Sequence, residues 1–598
     1  MSKGRFGQAS QWILAPALLV CAYLPAISHA SEADAKIQRI AKEMVLGVAS
    51  DHPINATYLG IPGHDAELDH PSRAQQTKDL ARIRNWRRQL DSTSRAHISL
   101  NEKDDVLLLK ARLTGMERSL TLYRAWDKDY SASSNDIVNA IYTQFQHLPM
   151  SGLEGATGRD VSRAWSDITA RLSKAAEYIH AGQRLVTHPG HLYGVVGVEE
   201  LEGAPSFLGG ALTDAAKAQM DPGGFKKFAA ARDTALGAIA ATVRYIKANV
   251  GHWPENYAMG APAYNAMLRD EQLLPFSASQ IEQMGIDELG HGATWQSWLT
   301  DQARFKGTNI GPDTGGGIAP DGEALIGYYR DRIADLQAWM VERQIVTIPA
   351  WFGTVKVVET PKFMQPVSPG AAMDGPRLFA KENTGYYFIT PPKSLAEAAR
   401  TLDANEDFDR DRIWSTAAHE AMPGHFLQGS IAKRHHDFVR KTESSSSFAE
   451  GWVYYGEEMF VQLGMYGDDL DARYYTAEWE RVRGCRAIVD AKLASGEWSY
   501  DKAVDFFAAN SGFTREASKA AVAGIALGPG YVVAYTVGRL QIQKLATEYW
   551  RRMGAKGSLH DFHDRLLSYG TTALSIVGPE LLADLSKPAA KVRAAAGY

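Results

Sequence analysis

The chain has 598 residues, of which 45% are hydrophobic and 22% charged, an ordinary globular composition with apolar side chains enough for a large core. Its 64 basic residues are balanced by 69 acidic ones, so there is no basic excess to neutralise phosphates or an anionic lipid surface. Extended disorder and nucleic-acid binding are therefore excluded as first expectations.

The N-terminus opens with Met-Ser-Lys-Gly-Arg, runs through an apolar stretch from Trp12 to Ile27, and reaches Ser28-His29-Ala30 before turning polar. A basic end, a short apolar core and a small-x-small site predict a secretory signal peptide over 1–30, cleaved after Ala30. Pro16 and Pro25 interrupt the stretch, which falls short of the roughly 20 residues of a spanning helix, so no stable membrane insertion is expected after cleavage. Lipid attachment at Cys21 is disfavoured, because Val20 stands where a small residue should precede a lipidated cysteine. The mature chain then keeps only Cys485, which excludes an intrachain disulfide and reads as a core cysteine. The expected location is the periplasm.

From Ala33 to about Thr300 apolar residues recur at helical spacing, as in Val161, Trp165, Ile168, Leu172 and the Ala175-Ala176 pair, and a helical region is predicted over 31–344. Gly311 to Gly322 is glycine-rich but lacks the lysine and the serine or threonine of a phosphate loop, which predicts a surface loop. Between Ile345 and Pro391 the texture changes: Thr354-Val-Lys-Val-Val-Glu-Thr and Gly385-Tyr-Tyr-Phe-Ile-Thr are strand-like, with proline and glycine between them. A small sheet or hairpins is predicted over 345–391. Helical patterning then returns over 392–598, with breaks at Pro423-Gly424, Gly496, Gly512 and Gly528-Pro529-Gly530. The fold class is mainly α.

The sharpest chemical signal is His419-Glu420-Ala-Met-Pro423-Gly424-His425. In helical zinc hydrolases two imidazoles bind the metal and a glutamate works on water. An offset of six residues on an ideal helix places His425 about 120° round and about 9 Å along from His419, too far for one ion. Pro423 cannot donate to the carbonyl of His419, and Gly424 tolerates unusual backbone angles, so the helix is expected to kink or end at this point, and a kink could swing His425 back over the metal. A helix stop with capping histidines is the alternative. Glu450, 25 residues beyond His425 on a second predicted helix, offers the missing carboxylate, while Glu457 and Glu458 two turns on read as solvated surface. Farther on, Gly528-Pro-Gly-Tyr-Val-Val-Ala-Tyr535-Thr-Val-Gly538-Arg539 enters a helix with Gly538 making room beside Tyr535, whose phenol could donate to an oxyanion or belong to the core. Arg483, Arg486 and Asp490 share a helical face, where Arg486 and Asp490 could form an ion pair behind the site or a purely structural one.

Taken together, HEAMPGH at 419–425, FAEGW at 448–452, RGCRAIVD at 483–490, PGYVVAY with Gly538 at 529–538 and, more weakly, Gly260-Ala-Pro-Ala-Tyr264 resemble the bacterial proteins grouped as domain of unknown function 885, allied with zincin-type metallopeptidases. The resemblance implies a helical, cleft-containing metallopeptidase fold related to gluzincins, with one zinc ion held by His419, His425 and Glu450. It further implies Glu420 as general base, Tyr535 as a transition-state group, and a peptide or small amide as substrate. Arg483, Arg486, Asp490 and Arg539 would support the ligands or touch substrate. Where relatives carry Asp-Thr-Gly-x-His this chain has Asp490 to Ala494, and Ala521 to Ile525 replaces their Glu-x-x-Arg-Tyr, which implies altered substrate contacts or weakened activity. The competing expectations are a peptide-binding protein on the same fold, with its metal structural or absent, and a zinc hydrolase of non-peptide amides or esters.

Overall fold

Helix starts in this chain are written locally. Ser99 and Glu102 form a reciprocal capping box before Leu100–Arg118, Ser277 and Gln280 do the same before Ala278–Lys306, and Asp221 caps Pro222–Asn249 with a proline in its first turn. The computed structural model describes residues 32–93, 98–148, 158–310, 319, 322–360, 371–380, 383–390 and 413–598. The predicted signal peptide and most of the Gly311 to Gly322 loop lie outside them.

The helices used below are α1 (Gly158–Gln183), α2 (Pro222–Asn249), α3 (Ala278–Lys306), α4 (Ile413–Glu420), α5 (His425–Lys433), α6 (Ser446–Gln462), α7 (Leu470–Ser495), α8 (Arg515–Leu527) and α9 (Val533–Met553). In the N-terminal half, Trp165, Ile168, Leu172 and Ala175 of α1 are buried against Phe228, Ala235 and Ile239 of α2. Trp165 meets Phe228 edge to face at 5.7 Å. Each large side chain buried in this way stabilises the pair by roughly 1.5–3 kcal/mol. The helical periodicity read from the sequence is therefore the buried stripe of α1.

The segment over 345–391 forms a three-stranded sheet of order β1-β3-β2: β1 (Val355–Glu359), β2 (Ala371–Asp374) and β3 (Gly385–Ile389). β1 and β3 pair in parallel, Val357 opposite Tyr387, and β2 pairs antiparallel to β3, Met373 opposite Tyr387. Two of the strands are those predicted. The sequence Ala-Ala-Met-Asp of β2 has weak strand preference and is extended only because β3 offers a free edge. On one side Tyr387 packs edge to face on Tyr329 at 5.2 Å, within a core that includes Trp414, Ala417 and Ala418 of α4 and Trp452 and Phe460 of α6. The sheet thus backs the helix that carries His419.

α3 lies against α7 so closely that a Cβ on Gly285 would stand 2.9 Å from the Gly484 carbonyl, so the contact requires glycine. Cys485, next to this crossing, is fully buried and its thiol is pushed up to about 12 by burial, as a core cysteine should be.

Candidate metal centre

Of the two outcomes that Pro423 and Gly424 allow, a kink or an end, the chain between the two histidines takes the second. α4 ends at Glu420, a turn holds Ala421 to Gly424, and α5 starts at His425. Gly424 is required there: a Cβ would lie 1.8 Å from the carbonyl oxygen of His419, so only glycine lets the chain fold back over the end of α4. The Pro423 carbonyl accepts from Trp452 Nε1 at 2.8 Å, which pins the turn to α6. The two imidazoles end with ring centroids 5.0 Å apart and planes at 88°.

Glu450 completes the set. One potential ligand atom each from His419, His425 and Glu450 lie within 4.8 Å of one another. Glu450 Oε2 stands 3.6 Å from His419 Nε2 and 3.5 Å from His425 Nε2, close to the roughly 3.3 Å edge of a tetrahedron with zinc–nitrogen bonds of about 2.0–2.1 Å. That oxygen is buried and has no hydrogen-bond partner, whereas Oε1 accepts from the Tyr531 hydroxyl at 2.8 Å. An orphaned buried carboxylate oxygen aimed between two imidazole nitrogens fits a cation.

Glu457 corrects the expectation of a solvated surface. It is fully buried, and its carboxylate accepts from His419 Nδ1 at 2.7 Å, from Ser415 Oγ at 2.7 Å, and from both terminal nitrogens of Arg483 at 2.8 and 3.0 Å. Burial would raise this carboxyl, yet Arg483 and His419 keep it at about 2. The ionised carboxylate fixes the proton of His419 on Nδ1 and turns the lone pair of Nε2 toward Glu450. Glu458 turns the other way, to Arg539 at 2.6 Å and Gln543 at 2.9 Å.

Glu420 and Tyr535 line one cleft of about 480 Å³ together with His419, Arg483 and Arg486. The Tyr535 ring lies 6.2 Å from that of His419, nearly parallel, and burial together with Glu450 pushes its phenol up to about 12, which keeps it a donor at neutral pH. Gly538 does not open space beside that ring, as expected, but lets α9 touch α6: a Cβ there would meet the Ser447 carbonyl at 1.8 Å, and one on Gly451 would meet the Gly538 backbone at 2.4 Å. This crossing sets Glu450 against Tyr531 and Tyr535.

Asp490 does not partner Arg486. It accepts from the Tyr264 hydroxyl at 2.7 Å and from the Gly530 amide at 2.9 Å, tying α7 to the turn that carries Tyr531. The Gly260 to Tyr264 stretch thereby contributes a buried strut, and the Gly260 amide donates to the Ala494 carbonyl at 2.9 Å. Arg539 reaches away from the cluster to Glu288 at 2.5 Å, Glu458 at 2.6 Å and Glu480 at 3.4 Å, joining α3, α6 and α7 to α9. Ala521 lines the cleft. Tyr531 has no role in the reading from the sequence and Glu457 only that of a surface charge; the Tyr531–Tyr535 and Glu450–Glu457 spacings, one and two helical turns, are the signals that point to them.

The profile of a family described as bacterial protein of unknown function, DUF885, matches residues 53–581. Two solved structures share the fold. A protein of unknown function from Shewanella oneidensis, with a provisional lipoprotein designation, is 18% identical with a TM-score of 0.72, over 91% of this chain and 99% of its own. A protein from Colwellia psychrerythraea with the same designation is 16% identical with a TM-score of 0.74, over 93% and 99%. No curated protein matches the chain.

Proposed function

The chain belongs to the DUF885 family, and on that footing we propose that it is an exported metal-dependent hydrolase of peptide or other amide bonds, with zinc held by His419, His425 and Glu450. The observation that carries this reading is the buried, unpartnered Glu450 Oε2 between the two imidazoles. Bound there, zinc supplies Lewis-acid activation of water and of the scissile carbonyl. Glu420, on the cleft wall next to His419, takes the proton of the attacking water and returns it to the leaving amine. Tyr535 donates to the oxygen on which charge develops. Glu457 and Arg483 keep His419 in the tautomer that offers Nε2.

Export is supported by the lipoprotein designation of both structural relatives. Among the described residues no helix is long and apolar enough to cross a membrane. Cleavage after Ala30 and lipid attachment at Cys21 both deliver the chain to the cell envelope, and the mass of the mature N-terminus separates them.

The test is metal analysis joined to one substitution. The mature protein is expected to bind about one zinc per chain, and His419→Ala with His425→Ala to abolish binding. Glu420→Gln should keep the metal and lose on the order of a hundred- to ten-thousand-fold in turnover. Zinc stoichiometry near zero after reconstitution, or full activity in Glu420→Gln, would sink the reading.

A further inference from the structure

The cleft beside His419 and Glu420 has a composition that selects what enters it. Tyr475, Trp479, Arg483 and Arg486 recur every three or four residues along α7, so one face of that helix forms a wall. Trp479 meets Tyr475 edge to face at 6.3 Å and Phe513 at 6.5 Å, which presents a continuous aromatic surface. Ala517, Ala520 and Ala521 of α8 contribute only methyl groups, leaving the width of the cleft open. Tyr535 closes the end next to the metal ligands.

Two guanidinium groups adjoin this surface. Arg483 is buried, its guanidinium 4.1 Å over the Tyr454 ring and its charge answered by Glu457, so it backs the wall from behind, 5.5 Å from Trp479 and 5.4 Å from Tyr535. Arg486 is 5.1 and 5.8 Å from the same two rings. Arg486, a partly exposed planar cation among these rings, can stack on a further π system, and the methyl wall offers no acceptor or donor to a polar side chain, although Ser415, Thr416 and Glu420 also line the cleft. The volume, about 480 Å³, lies within the range of small-ligand sites and holds one large side chain with part of its backbone.

We propose that this cleft is the specificity pocket of the enzyme and takes an aromatic side chain next to the scissile bond, so that the substrates are peptides with phenylalanine, tyrosine or tryptophan at that position. The proposal rests on the hydrolase reading for where the bond is cut, but the pocket can be tested without turnover.

The experiment measures binding and cleavage separately, with Ala-Ala-Phe-Ala-Ala, Ala-Ala-Leu-Ala-Ala and Ala-Ala-Ala-Ala-Ala as probes. Calorimetry on zinc-loaded Glu420→Gln protein is expected to show the phenylalanine peptide binding at least tenfold tighter than the alanine peptide and about threefold tighter than the leucine peptide. Adding Ala517→Trp or, separately, the more exposed Ala520→Trp should bring the phenylalanine-to-alanine ratio below about two, with circular dichroism verifying the fold of each variant. Cleavage by the wild-type protein, read by mass spectrometry, should fall at a bond adjoining the phenylalanine. A phenylalanine-to-alanine ratio below two in the parent protein, a leucine peptide that binds as tightly, or an undiminished ratio in both folded variants would overturn the pocket. Selective binding without any cleavage would keep the pocket and reject the hydrolase; cleavage without selectivity would do the reverse.

Discussion

The two oxygens of Glu450 have separate duties: Oε1 is held by Tyr531, and Oε2 faces His419 and His425. Tyr531 is 49% exposed, so its ring contributes little to the core, and its hydroxyl acts chiefly by orienting the carboxylate. Tyr531→Phe is accordingly expected to weaken zinc about ten- to a hundredfold in chelator competition, with little change in melting temperature. Tyr535→Phe should do the opposite, lowering turnover roughly a hundredfold with zinc affinity intact, because an oxyanion hydrogen bond matures only in the transition state. Equal zinc affinity in wild type and Tyr531→Phe would remove Tyr531 from ligand support. Residue types alone could not separate these two tyrosines. They differ in what faces them, and that is decided by where α6 crosses α9.

At the scale of elements, that crossing depends on Gly451 and Gly538. Gly538→Ala places a methyl where the Ser447 carbonyl lies at 1.8 Å, so α6 and α9 must separate and carry Glu450 away from Tyr531. A cost of about 1–3 kcal/mol or more is expected by thermal unfolding, together with weaker zinc binding. Asp490 joins α7 to the Gly530 turn and titrates unusually: burial pushes it up to about 7, only partly offset by Tyr264 and Gly530. Its unfolded value is about 3.9, so between roughly pH 4 and 7 the native state holds more protons than the unfolded chain. The stability this carboxyl contributes is therefore full below pH 4 and is lost as pH rises, with a slope of at most about 1.4 kcal/mol per pH unit. Asp490→Asn should flatten that part of the stability profile; an unchanged slope in denaturant titrations from pH 4 to 8 would show that the carboxyl is ionised throughout.

At the scale of the whole molecule, the segment between α5 and α6 is riveted to both ends of the chain by Arg440, which is buried and bonds Asp105 at 2.7 Å and Glu580 at 2.7 and 2.9 Å. Arg440→Met would remove the cation facing Asp105 and Glu580, whose carboxyls burial already pushes upward, so the loss measured by equilibrium unfolding should grow as pH rises, toward about 3–5 kcal/mol where both are ionised. A variant as stable as the parent would mean that both carboxyls simply take up protons. None of this long-range wiring was legible beforehand, since Asp105, Arg440 and Glu580 carry no local pattern that links them. By itself the sequence determined the helical class, the α1 stripe from Trp165 to Ala175, the strands at Val355 and Gly385, and the prominence of His419, His425 and Glu450, because periodicity and turn chemistry act within a few residues. The tertiary structure alone decided that Glu457 is a buried partner of His419, that Asp490 holds a turn, that β2 is a strand, and that Gly538 serves a helix crossing. Burial, register and the choice of partner are properties of the packed molecule: a glutamate two turns beyond Glu450 becomes a surface charge or the support of His419 according to which helices close over it.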